Sequence, residues 1–501
     1  MKARCAEVKA WMGDSCRFAW ALVYWNARKT WWRWRKQRDA CPCQHPSDSG
    51  RAGETGCEAI AHWHDPARFR KICPLLVRAR DGRWVCSVHA EEVRPFWGRA
   101  WVYAGATAGL GAVVMFVAVF SLMHVIGYEV SPRQLLWPPA WSELRHVRAR
   151  LFIRRAQAYQ EAGNLREAAL ALALGYQFDP SDYATGRTLA HLYEAASPTA
   201  ADELYERLLR EHPDHRVETA RAWMRSLLVR GRLEALAELA REQVADDREY
   251  YVVWLNALIF AATRSQHPEW LENASRDIAV PEPARRLLAL AAQVERASPG
   301  EVVELLRPDA TDAQFAYGLT YRIDQLIRRG FPKQALTLIA QYRGVIGGRD
   351  EAGLVLAGIA ETGDEARLMK EFDYLLAPDR PLAAAEFSLL GLHLIRYPNK
   401  PLLTKMTAAI PKLQHEALKP QVEALLTLFC AAGVQQDRAA MDLIKSRLGE
   451  IMPQSAPFVA PLQRFFLSRT EPRRVESILP RLSDMPLDFI YALLGCYPYR
   501  P

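Results

Sequence analysis

Apolar positions follow three different patterns along the chain. Between Arg99 and Glu129 no side chain carries a charge, and the 29-residue run AWVYAGATAGLGAVVMFVAVFSLMHVIGY is apolar all round. At ~1.5 Å of rise per residue it crosses a hydrocarbon core of about 30 Å, with some tilt. From about Arg148 onward the apolar residues follow the helical period, and no strand-like alternation persists. Before the apolar run the pattern is mixed. Residues 1–38 contain no proline and read as a helix, whereas Gly, Pro, Ser and Asp break any helix around residues 41–56.

These patterns divide the chain into a basic, Trp-rich segment (1–40), a Cys/His-rich head (41–99), a transmembrane helix (100–128), a Pro/Trp linker (129–147) and a long helical domain (148–501). The fold class expected is all-α after the span, preceded by a small α+β or irregular head. The chain has 501 residues, too many for one ordinary core.

The span has the interfacial aromatics of a membrane helix. Trp97, Trp101 and Tyr103 precede or open it, and Tyr128, Trp137 and Trp141 follow. The competing reading is a buried core helix, but such helices rarely run so far without a charge. It begins about 100 residues into the chain with no short basic leader before it, unlike a cleavable signal peptide. RFAWALVYW, upstream, is too short to span. Gly105 and Gly109 form a GxxxG pair, a spacing that lets two membrane helices approach closely.

Charge sets the expected orientation. The net charge is +8, yet residues 1–100 hold 19 Lys and Arg against 10 Asp and Glu, so the helical domain is nearly neutral. A basic head is retained on the cytoplasmic side. This places the repeats outside it, as in a bacterial inner membrane with a periplasmic domain. The uneven charge also speaks against a nucleic-acid-binding chain. WNARKTWWRWRKQR mixes indoles with cations, which suits residues 11–38 to an anionic lipid surface. Packing against the rest of the head is the alternative.

Seven of the nine cysteines fall before residue 87. Cys41, Cys43, Cys57, Cys73, Cys86 and His89 are the candidate metal ligands, any four of which would make a tetrahedral zinc shell. A head of about 60 residues has little core, and a structural metal is one way to hold it together. The spacing is Cys-x-Cys rather than paired Cys-x-x-Cys, so plain buried thiols stand beside zinc as a second reading. A helix near Ala59–Lys71 and a hairpin, PLLVRA and RWVCSV about Asp81-Gly82, are expected here. Zinc is the one cofactor the composition suggests.

Pro132, Pro138 and Pro139 stop the membrane helix from running on into the helical domain. The segment RARLFIRRAQAYQEAGNLREAALALALGYQFDP then places Ala156 and Tyr159 on one helix, Gly163 at a turn, Ala168, Leu172 and Gly175 on a second helix, and Pro180 after it. It resembles a tetratricopeptide repeat. Small Ala156 and Ala168 fit where paired helices press together, with Tyr159 and Leu172 filling the space around them. Looser Gly-then-Ala beats recur at Gly231 and Ala235, Gly330 and Ala335, Gly363 and Ala366, and Gly433 and Ala439. The resemblance implies a solenoid of on the order of ten helix pairs with a concave face built from the first helices.

No phosphate-binding loop, HExxH, GxSxG or kinase set occurs, so the chain reads as a non-enzyme. Asp246–Asp247, Asp182, Asp202 and Glu203 read as solvated charge. The resemblance implies a membrane-anchored scaffold whose groove binds partner proteins, in assembly of envelope complexes or secretion. Where some members carry the Asn of a clamp for acidic tails, this chain has Gln157. An accessory subunit of a membrane complex, and a metal- or redox-sensing transducer, are the alternatives. The closing stretch LDFIYALLGCYPYRP is apolar and Tyr-rich, suited to capping the stack or docking on a partner.

Overall fold

The computed structural model describes residues 2–36, 44–45, 56–57, 76–78, 80–82, 84–86, 95, 97–309, 311, 314–377, 383–415, 417–468 and 473–498. Two units are present, Met1–Arg154 and Arg155–Pro501.

The first unit opens with α1 (Lys2–Trp34). Two short antiparallel ribbons follow. In one, β1 (Gln44–His45) pairs with β2 (Gly56–Cys57); in the other, β3 (Leu76–Arg78) pairs with β4 (Trp84–Cys86) in the register Val77 to Val85. The second is the hairpin expected about Asp81-Gly82, and Gly82 takes the left-handed conformation its turn needs. The helix expected at Ala59–Lys71 lies outside the described residues.

α2 (Trp97–Ile126) is the one helix among the described residues long and apolar enough to cross a membrane, and its apolar window is wholly exposed. α1 packs antiparallel against its first turns. Thr30 accepts a hydrogen bond from the Trp97 indole (2.8 Å), and the Phe18 ring meets Tyr103 edge-on. Leu22, Trp25 and Trp32 are buried on α1, while Trp20, Trp31 and Trp34 stay exposed. The aromatic-basic segment is therefore split between a packed face and an open one. Gly127 turns left-handed and ends α2, with the Tyr128 N–H reaching back to the Met123 carbonyl (2.9 Å). α3 (Pro132–Leu136) and a 3-10 turn (Pro138–Glu143) carry the prolines. Arg154 pairs with Glu129 and donates to the Gly127 carbonyl (2.7 Å), covering the end of α2 with a cation.

The second unit is a series of helices that pack on their neighbours, a solenoid-like all-α fold. α4 (Leu144–Glu161) leads into α5 (Leu165–Phe178), α6 (Tyr183–Ala196), α7 (Pro198–Glu211), α8 (Arg216–Val229) and α9 (Leu233–Asp246). Next come α10 (Tyr251–Ser265), α11 (Pro268–Ser275), α12 (Glu282–Arg296), α13 (Pro299–Leu305), α14 (Ala316–Arg328) and α15 (Pro332–Gln341). α16 (Gly348–Thr362), α17 (Glu365–Leu375), α18 (Ala384–Arg396), α19 (Lys400–Ala409), α20 (Leu418–Val434), α21 (Arg438–Ile451) and α22 (Ala456–Leu467) complete the stack, and α23 (Leu487–Gly495) closes the chain.

One turn design recurs. Gly163, Gly231, Gln266, Gly330, Gly363 and Gln436 all have φ between 56° and 86°, each where the first helix of a pair gives way to the second. At five of them the next residue's N–H bonds back five residues, as in Arg232 to the Leu227 carbonyl (3.0 Å) and His267 to Ala262 (2.9 Å). This closure satisfies carbonyls that a helix end leaves unpaired. Five positions after each left-handed residue stands a buried side chain: Ala168, Leu236, Leu271, Ala335, Leu368 and Met441. The period is thus constant in geometry and variable in residue type. Gly433 is no turn residue. It lies inside α20, where a Cβ would clash with the Phe466 ring, and Gln436 makes the turn instead.

Three carboxylates expected to be solvated are built into the stack. Asp182 caps α6 and accepts from the Thr185 hydroxyl (2.7 Å). Asp202 accepts from the Trp223 indole (2.8 Å) and from Arg230, joining α7 to α8. Asp247 is buried and accepts from the Trp254 indole (3.0 Å) and the Tyr250 N–H. Each answers a buried donor that would otherwise lose its bond to water.

Two measurements check these arguments. Gln266→Gly removes a left-handed non-glycine residue and should raise unfolding stability by about 1 kcal/mol in denaturant melts. Asp247→Ala leaves the buried indole N–H of Trp254 unpaired and should lower it by about 1–3 kcal/mol.

Candidate functional site

From α8 onward the first helices of the pairs are buried on more of their circumference than the second. In α20 every residue from Ala424 to Gly433 is buried, and α10 buries Trp254, Leu255, Ala257, Leu258, Ile259, Ala261 and Ala262. By contrast α21 buries only Met441, Ile444 and Leu448, a single stripe. A helix apolar all round needs cover on every side. Stacking supplies cover on the sides facing neighbouring pairs. The remaining side is the inner face of the solenoid.

That inner face holds the end of the chain. Val475–Ser477 and Leu479–Leu482 are single 3-10 turns, followed by α23. Six successive residues of α23, Phe489 to Leu494, are buried, as are Val475, Ile478, Leu479, Leu482 and Met485. At about 1.5–3 kcal/mol for each fully buried Phe, Ile or Leu, this burial is a large part of what holds the segment in place.

The segment's partners lie on first helices or on the turn that ends one. Tyr491 packs on Phe260 of α10, with ring centroids 4.7 Å apart. The Cys496 thiol donates to the Ile395 carbonyl of α18 (3.2 Å). Glu476 lies against Gly231, at the end of α8. His191 of α6 holds its proton more firmly than usual, chiefly through Glu194, with Asp484 of the segment adding to it.

Two arginines bracket α23. Arg225 of α8 donates to the Ser483 and Met485 carbonyls just before the helix, the second at 2.7 Å. Arg264 of α10 donates to the Tyr497 carbonyl just after it (2.9 Å). Charged donors on backbone acceptors make bonds stronger than neutral ones. They also grip main chain, and so place few demands on side-chain identity.

The fit has faults. The Tyr491 hydroxyl is buried without a hydrogen-bond partner, as is one Glu476 carboxylate oxygen. Asp350 of α16 has its carboxyl pushed up by burial and, further, by Asp488 of the segment, a like charge. Burial raises the Cys496 thiol to about 11, so it stays protonated and unreactive at neutral pH.

The residues singled out from sequence fall as follows. Ala156, Ala168, Leu172 and Gly175 are buried, Gly163 makes its turn, and Pro180 follows α5 exposed. Tyr159 is 39% exposed instead of packed. Gly105 and Gly109 face open space on α2. Cys57 and Cys86 stand on β2 and β4, which lie side by side. Cys41, Cys43, Cys73 and His89 lie outside the described residues, and with them the zinc shell. Among the described residues no group of three His, Cys, Asp or Glu is placed to hold a metal ion. The closing stretch, expected to cap the stack or dock on a partner, packs on α10 and α18. Arg225 and Arg264 carried no sequence signal.

No family model matches this chain, and no curated protein matches it.

One titration tests the packing around this face. His393 of α18 is buried against Phe372 and Tyr397, and burial together with Arg396 lowers it from the usual 6.5 to about 4. The unfolded chain therefore takes up a proton that the folded chain refuses. Stability should fall by about 1.4 kcal/mol per unit as pH drops from 6.5 toward 4, and this contribution should level off below that. His393→Leu should flatten that slope, measured by denaturant melts across the range.

Proposed function

We propose that the chain is a membrane-anchored scaffold that binds partner proteins through a tetratricopeptide-like helical domain. The carrying observation is the apolar helix α2, whose whole apolar window is exposed. A soluble protein covers such a surface, and contiguous apolar patches beyond a few hundred Å² mark membrane or partner contact. Lipid accounts for the length, the absence of charge and the exposure together.

The head then lies on the cytoplasmic side, with its excess of Arg and Lys, and the solenoid on the other. The open face of α1, with Trp20, Trp31 and Trp34, suits a headgroup layer. The solenoid's role follows from its chemistry: buried carboxylates answer structural donors, the buried thiol of Cys430 is packed away, and helix faces provide recognition surface. A second reading, an accessory subunit of a membrane complex, is favoured by the open Gly105 and Gly109 face, where another span fits closely.

Val117→Arg tests the anchor. A charge at mid-span costs about 3 kcal/mol of insertion free energy, so the variant should shift from the carbonate-resistant membrane fraction to the soluble or degraded fraction. Unchanged fractionation argues against the span. Protease protection in sealed vesicles reads the orientation.

A further inference from the structure

We infer that the inner groove is a binding site for a short apolar helix, that residues 475–497 are its resident occupant, and that a partner segment of the same pattern takes their place. This rests on the scaffold reading and specifies what its groove accepts.

Three observations point to an exchangeable occupant. The groove grips the segment at two backbone positions, through Arg225 before α23 and Arg264 after it. Any helix of about nine residues with a few irregular residues before it and a free carbonyl just after it presents the same handles. Between the brackets the walls are apolar and aromatic, with Phe260 against Tyr491, and they specify shape more than sequence. The resident also fits imperfectly. It buries the Tyr491 hydroxyl and a Glu476 oxygen without partners. An occupant lacking these two faults binds the same walls more tightly.

The chemistry of the partner follows. It is a protein segment with an apolar, aromatic-bearing helix of two to three turns, preceded by a proline or similar stop. The resident would keep the walls covered until such a segment arrives, since inner helices bared to water carry an exposed apolar strip. Competition by the resident lowers a partner's apparent affinity by the fraction of time the groove is closed.

The experiment uses the full chain in detergent micelles and a fluorescent peptide of residues 473–498, read by anisotropy against a scrambled control. Substitutions in the resident alone change the competition. Leu493→Asp should weaken the resident and raise peptide affinity at least tenfold over the parent chain. Tyr491→Phe removes an unpartnered hydroxyl, tightens the resident, and should lower it. A Leu493→Asp chain that keeps its helical circular dichroism yet gains no peptide binding overturns the inference. Should that variant lose its fold, hydrogen exchange on the parent chain decides. Amides of α23 that open at least tenfold faster than those of α20 support an exchangeable segment. Amides that open only together with α20 mark it as permanent core and sink the idea. Peptide exchange in a chain that fails to partition into membranes would leave this inference standing and remove the anchor instead.

Discussion

The inner helices of this solenoid carry apolar side chains on more faces than stacking can cover. A pair of helices buries one face of each against the other and a second against the next pair. For α10 that leaves a further apolar side, where Phe260 meets Tyr491, and water is a poor neighbour for it. The rest of the second unit follows from this deficit. Some second helices need only a single stripe, as in α21. Residues 475–497 are free of any pair, carry a run of apolar residues from Phe489 to Leu494, and reach first helices of the stack. The arginines on α8 and α10 then satisfy carbonyls of the irregular backbone that leads into the short helix and of the residue just beyond its end.

Much of the local architecture was legible because it is set by neighbours in sequence. An uncharged run gave α2, proline-free residues gave α1, and Asp81-Gly82 marked the β3–β4 hairpin. The helical period gave the all-α class. Gly163, Gly231, Gly330 and Gly363 mark turns because glycine enters the left-handed region without strain. Gln266 and Gln436 fill the same geometry and were invisible, since their cost is borne by the surrounding packing. For the same reason the Gly-to-Ala offset looked irregular, whereas the constant quantity is five residues from turn to buried contact.

What sequence could not show was non-local. Asp247 looks like half of an acidic pair until the indole of Trp254 is found beside it. Gly433 looks like a turn until Phe466 is seen to fill the space where its Cβ would sit. The apolar closing stretch announced that it must be covered. Only the curvature of the stack says by what, because its partners on α8 and α10 lie more than 230 residues earlier. Arg225 and Arg264 are two among many arginines, distinguished solely by that return.

The return of the C-terminus has a consequence for biogenesis. Helices α6 to α10 emerge from the ribosome with their inner sides unfilled and must wait for about half the protein to be made before the last segment arrives. Contacts of such long sequence separation form late, after a large loop has closed. During that interval the early pairs expose an apolar strip of the kind chaperones recognise. A chain cut before Val475 would remain in that state, with the sides of α8 and α10 that meet the closing segment left bare.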